Sequence, residues 1–157
     1  MNEVFFDEIR IGNYKKVKTM LANNPLLLDS KDQRGSTPLI MATYYDEPKI
    51  TDLLLRHGAK IEARDAAGNT ALMGVCFKGY EDCAEKLINN RADINAQNAM
   101  GATSLIYSVN FDRPRIAKLL LEAGADTTIK DNRGNTALDY ARIHGNLKLI
   151  ALLENNN

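Results

Sequence analysis

Apolar residues recur along the chain in two spacings at once. Locally, Ile50-Leu53-Leu54 and Ile116-Leu119-Leu120 fall at i, i+3 and i+4, the stripe of a helix buried along one side. Over longer range, Leu39, Leu72, Leu105 and Leu138 stand 33 residues apart, and Leu54, Leu87, Leu120 and Leu153 keep the same step. Polar and glycine positions follow the same ruler. Gly35, Gly68, Gly101 and Gly134 are each preceded three positions earlier by Asp32, Asp65, Asn98 or Asp131, and followed two positions later by Thr37, Thr70, Thr103 or Thr136. A fixed period of this length predicts stacked repeats, and each period carries two helical stripes.

Each unit reads as turn, helix, reversal, helix. The Asp/Asn-x-x-Gly element is turn chemistry: the short side chain bonds its own backbone, and Gly takes the positive φ that a Cβ disfavours. Thr37 and its equivalents stand where a hydroxyl caps a helix start, with Pro38 at the first helical position. Pro48 and Pro114 open the second helix of their units, and Gly58 and Gly124 end it in the left-handed conformation. Arg91 replaces that Gly in the unit between them, at a cost on the order of 1 kcal/mol if it keeps the geometry. Gly74 lies inside a first helix, where it is unfavourable by about 0.5–1 kcal/mol relative to Ala. Residues 65–97 are therefore expected to form the softest internal unit.

On these residues the chain resembles the ankyrin-repeat family. The matching stretches are Asp32-Gln33-Arg34-Gly35-Ser36-Thr37-Pro38-Leu39, Leu53-Leu54-Leu55-Arg56-His57-Gly58-Ala59 and Leu119-Leu120-Leu121-Glu122-Ala123-Gly124-Ala125-Asp126. The resemblance implies an all-α solenoid of stacked helix-turn-helix units with projecting hairpin loops, and a concave surface made of hairpin tips and first helices. The units are 32–64, 65–97 and 98–130, with a C-terminal capping repeat at 131–157. Residues 1–31 are expected to be an N-terminal cap or half-repeat, in which Gly12 to Leu21 resembles the family's second helix. The charged face of this segment suits a terminal unit, which must meet solvent on one side. The family's frequent His after Thr-Pro-Leu is replaced by Ile40, Met73, Ile106 and Asp139.

Composition narrows the function. Twenty basic and 20 acidic residues in 157 give no net charge, with a pI near 6.7. Such a chain has no global pull on a polyanion, so neither nucleic acid nor an anionic membrane is an expected partner. No stretch approaches the roughly 20 apolar residues that span a bilayer, and the acidic opening Glu3, Asp7, Glu8 is unlike a signal peptide. A cytoplasmic, monomeric protein is expected. Cys76 and Cys83 are too few for a disulfide framework and lack C-x-x-C spacing, which leaves them as buried packing thiols.

Catalytic chemistry is not legible. His57 and His144 form no His-x-x-x-His pair, and each precedes a Gly at a helix end, where a cation meets the helix dipole. Asp32, Asp65 and Asp131 occupy one equivalent position per unit, a spaced ladder rather than a dyad. No phosphate-binding Gly loop is present. Lys15, Lys16 and Lys18, close to the acids of the N-terminus, read as a solvated cap face. No catalytic residue, metal ligand or cofactor is expected.

The resemblance instead implies a recognition surface. Carried over position by position, the tips are Gln33-Arg34, Ala66-Ala67, Ala99-Met100 and Asn132-Arg133, and the ends of the first helices are Tyr44-Tyr45, Phe77-Lys78, Asn110-Phe111 and Ile143-His144. The expected protein-binding residues are Arg34, Tyr44, Tyr45, Ala67, Phe77, Lys78, Met100, Asn110, Phe111 and Arg133. Four of the chain's ten aromatics lie in this set, in an apolar centre between charged outer tips, the anatomy of a protein-binding patch. Two readings stand open for Tyr44 and Phe77, which share an equivalent position: anchors for a partner, or rings that stack between units. The implied function is a non-enzymatic protein–protein interaction module, or alternatively an inhibitor or immunity-type protein that covers a partner enzyme's active site.

Overall fold

A computed structural model describes residues 2–156, and among them all regular structure is helical. Ten α-helices follow one another in pairs: α1 (Asn2–Arg10) with α2 (Tyr14–Asn23), α3 (Pro38–Tyr44) with α4 (Pro48–Arg56), α5 (Ala71–Lys78) with α6 (Glu81–Asn89), α7 (Ser104–Asn110) with α8 (Pro114–Glu122), and α9 (Ala137–Ile143) with α10 (Leu147–Glu154). A short 3₁₀ helix, Pro25–Asp29, joins the first pair to the second. First helices lie against first helices, α1 on α3 on α5 on α7 on α9, and second helices form a parallel row behind them. The result is the expected all-α solenoid, in which each pair buries its apolar face on its neighbours.

The period is visible in the packing. Leu39, Leu72 and Leu105 are buried in the first-helix row, and Leu54, Leu87, Leu120 and Leu153 in the second. Each first helix after α1 starts on a threonine whose hydroxyl accepts an N–H three residues on: Thr37 from Ile40, Thr70 from Met73, Thr103 from Ile106 and Thr136 from Asp139. Each such bond satisfies a donor that the helix start would otherwise orphan. Asp139, one of the replacements for the family's His, returns the favour by accepting the Thr136 N–H at 2.9 Å.

Left-handed backbone ends the second helices as expected, at Gly58, Arg91 and Gly124, with φ of 88°, 64° and 91°. A second left-handed series was not foreseen. The reversals inside the five pairs pass through Gly12, Asp46, Gly79, Asp112 and Gly145, all at positive φ. Aspartate tolerates this region better than most residues with a Cβ, so the alternation of Asp and Gly hid the series.

Residues 1–31 are expected to be an N-terminal cap or half-repeat, and the described part of this segment has helices of both rows. It holds a complete helix pair. Phe5, Phe6 and Ile9 of α1 are buried and carry the first-helix row to its end, while Lys15, Lys16 and Lys18 of α2 stay exposed. The apolar triplet in α1 is spaced as a helical stripe, and it was obscured by the acids around it.

Candidate protein-binding site

The hairpins that precede the first helices are built one bond at a time. Asp65 Oδ1 accepts the N–H groups of Ala67 and Asn69, both at 2.9 Å, and Asp32, Asn98 and Asp131 hold their own turns in the same way. These side chains are turn staples, one per unit, which leaves them no shared acid–base task. Neighbouring tips are then tied together. Asn132 N–H donates to the Met100 carbonyl at 3.0 Å, and its side-chain amide donates to Ala99 O. Arg64 bridges Gly68 O and Gln97 O, and Gln97 one unit later bridges Gly101 O and Lys130 O. From the second tip onward, the row is tied tip to tip and presents a preformed surface.

Two grooves run between this row and the ends of the first helices. The first, about 890 Å³, brings together Arg34, Tyr44, Tyr45 and Ala67, with Asp7 and Arg10 of α1 closing its outer side. Arg10 pairs with Asp7 at 2.7 Å and lies over the Tyr45 ring, 5.7 Å from its centre. The second groove, about 390 Å³, lies between α3, α5 and α7 and is walled by Tyr44, Phe77, Tyr107 and Phe111. Tyr44, Phe77 and Phe111 retain 46%, 42% and 38% exposure, so they are neither core nor free-standing. The two grooves share Ile40, Tyr44 and Asp65.

Ring contacts assign the aromatics to two groups. Phe77 meets Phe111 edge-on at 4.5 Å and Tyr107 at 6.4 Å across the junction of two units. Tyr44 turns to Tyr45 at 5.3 Å and takes the Lys78 ammonium over its face at 4.5 Å. The pair that stacks between units is thus Phe77 with Phe111; Tyr44 and Phe77 stand on opposite sides of the smaller groove. Edge-on rings with exposed faces are half-committed, since each gains about 0.5–1.5 kcal/mol from its neighbour while leaving apolar area for another surface.

The remaining expected residues lie outside both grooves. Met100 projects from its tip with 60% exposure, and Arg133 is exposed on the last tip. Asn110 turns toward the next unit, its Oδ1 at 2.7 Å from His144 Nε2. His57 is spent on its own helix end, Nδ1 at 2.9 Å from Leu53 O. Residues of the smaller groove outside the expected binding set include Asp65, Asn69, Gly74 and Tyr107. The available signal for two of them was the repeat position nine residues after each turn residue, which reads Met41, Gly74, Tyr107, Tyr140.

Both thiols are buried and unpaired. Burial pushes each up to about 12, the contact of Cys76 with Ser104 or of Cys83 with Thr51 does not offset it, and Asp46 raises Cys83 further. Neither is a nucleophile near neutral pH. Among the described residues no group of three or more His, Cys, Asp or Glu could hold a metal ion, and no helix is long and apolar enough to cross a membrane.

The family model described as ankyrin repeats (3 copies) matches residues 8–98 and 76–157. No curated protein matches the sequence.

Proposed function

Since the chain belongs to the ankyrin-repeat family, whose members are generally protein–protein interaction modules and typically not enzymes, we propose that it binds a protein partner on the face formed by its hairpin tips and first-helix ends. The observation that carries this is the set of part-exposed rings around the smaller groove, Tyr44, Phe77 and Phe111, beside Lys78, the small tip residue Ala67 and the exposed apolar Met100. Rigid apolar anchors bordered by Arg34 and Arg133 supply both a dehydrated centre and a polar rim, and such centres hold most of the energy of an interface. Tips bonded to one another need little ordering on binding, which favours rigid docking over coupled folding. The buried free thiols suit a reducing compartment, and we place the module in the cytoplasm as a monomer.

The test begins with affinity capture from the native cell and identification of the partner by mass spectrometry. The purified partner is then titrated against the chain and against a Phe77→Ala, Met100→Ala, Phe111→Ala variant, with melting temperature measured in parallel. A Kd at least about 100-fold weaker, from loss of two or three anchors, with a melting temperature lowered by only a few degrees through loss of the Phe77–Phe111 contact, is the expected result. An unchanged Kd refutes the face. Leu87→Ala is the contrasting control: it hollows the core, costs roughly 2–5 kcal/mol of stability and reports on the stack alone.

A further inference from the structure

The position nine residues after each turn residue is equivalent in every unit, and in the last two it holds a tyrosine that reaches back to its own turn. Asn98 Nδ2 donates to the Tyr107 hydroxyl at 2.8 Å, and the Tyr140 hydroxyl donates to Asp131 Oδ2. Met41 takes this position in the unit that begins at Asp32 and is buried there. Residues 65–97 have Gly74 in its place.

Nothing replaces the missing side chain. A Cβ built on Gly74 meets no heavy atom within 4 Å, and Gly74 lies inside α5 and is not among the positive-φ glycines. The space above it is the smaller groove, lined by Asp65, Asn69, Met73, Phe77, Tyr107 and Phe111 among others. Its volume of about 390 Å³ is in the range of small-ligand sites, about 300–1,000 Å³. At its turn end, Asp65 has committed Oδ1 to Ala67 and Asn69, and its Oδ2 has no partner among the described residues. The groove therefore keeps both halves of the arrangement seen at Asp131: an aromatic-walled slot for a ring, and a carboxylate oxygen set to accept a hydroxyl proton.

We propose that this groove is a tyrosine-binding pocket: a tyrosine side chain of the partner lies over Gly74, between Tyr44 on one side and the edge-on Phe77–Tyr107 pair on the other, and donates its phenolic hydroxyl to Asp65 Oδ2. The partner supplies in trans the ring that Tyr107 and Tyr140 supply within the chain. Charge complementarity selects the occupant. A carboxylate accepts from a neutral phenol, gains nothing from phenylalanine, and repels a phosphotyrosine dianion. No Lys or Arg lines the groove and none is paired with Asp65 among the described residues; Lys78 lies over the Tyr44 ring on the groove's wall. The inference rests on the partner-binding reading of this face and names the side chain its centre takes.

The full chain, labelled with ¹⁵N, is titrated with N-acetyl-tyrosinamide, N-acetyl-phenylalaninamide and the phosphorylated tyrosinamide while backbone amide shifts are followed. Tyrosinamide is expected to give saturable shifts centred on Asn69, Gly74 and Phe77. The phenylalanine analogue should bind about tenfold more weakly for want of a hydrogen bond to a charged acceptor, and the phosphorylated one should leave the groove unshifted. Gly74→Tyr, which fills the pocket from within, is expected to melt no lower than the parent and to lose the titration. Equal binding of tyrosinamide and phenylalaninamide, no saturable shift in the groove, or an undiminished titration in folded Gly74→Tyr overturns the proposal. Should that variant fail to fold, the three amides on the parent chain decide. A negative result removes this pocket alone, because the recognition face is scored separately by the Phe77, Met100 and Phe111 variant.

Discussion

Asp131 and Asp139 show how one residue's hydrogen bonds become a property of the whole chain. Burial raises Asp131, but the Tyr140 hydroxyl, the N–H groups of Asn135 and Arg133 and the Arg133 charge outweigh it and hold the carboxyl below its ordinary value. Asp139 is lowered chiefly by the Thr136 N–H, against a smaller effect of burial. A carboxylate whose folded pKa is depressed binds protons more weakly in the native state than in the unfolded one. Its contribution to stability is complete above the unfolded pKa, near about 3.9, and disappears as pH falls through the folded value. Urea midpoints should therefore drop between about pH 5 and about pH 3. Asp139→Asn keeps an oxygen for the Thr136 N–H and cannot titrate, so its midpoint should drop less over the same interval. A parallel fall in parent and variant would show that the Asp139 cap contributes nothing to acid sensitivity.

At the scale of the helix pair, the sequence was legible wherever the cause is local. Asp32, Thr37 and Pro38 fix a turn, a cap and a first helical residue through atoms within four positions of one another, so their pattern translated directly into α3. The smaller groove was not legible, because it depends on a side chain that Gly74 lacks and on Tyr107, which arrives from the next unit. Position 91 lies between these cases: the sequence marked Arg91 as a misfit, and the structure keeps it left-handed at φ 64°. Its side chain is exposed and appears in no hydrogen bond or ion pair that a substitution would sacrifice among the described residues. Arg91→Gly should therefore relieve on the order of 1 kcal/mol and raise the melting temperature by about 2–4 °C in a chain of this size. Gly124→Ala, introducing a Cβ at φ 91°, should move it the other way. A fall in melting temperature for Arg91→Gly would mean that the added chain entropy of glycine exceeds the strain.

In the whole molecule, a stack stabilised by contacts between successive pairs should be best protected in the middle, where each pair has a neighbour on both sides. The α5–α6 pair is in the middle, yet it contains Gly74 at about 0.5–1 kcal/mol and left-handed Arg91 at about 1 kcal/mol, whereas the α7–α8 pair holds only Asp112 left-handed, a residue type that tolerates the region better. Together these exceed the 1.4 kcal/mol that corresponds to a factor of ten. Native-state amide exchange should consequently be about tenfold faster in α5 and α6 than in α7 and α8, reversing the order that position alone dictates. Matching protection in the two pairs would sink this expectation, and the double variant Gly74→Ala, Arg91→Gly should restore the ordinary order. The placement of the softness has a functional consequence. The groove floor is α5 itself, so any ligand that binds only the folded face must oppose its local opening, by RT ln(1 + [L]/Kd). Saturation with a partner should slow exchange of the α5 amides more than those of α8, which lies in the second-helix row away from the groove. Equal slowing of both would instead indicate that opening is global, and that the central pair is not an independent unit.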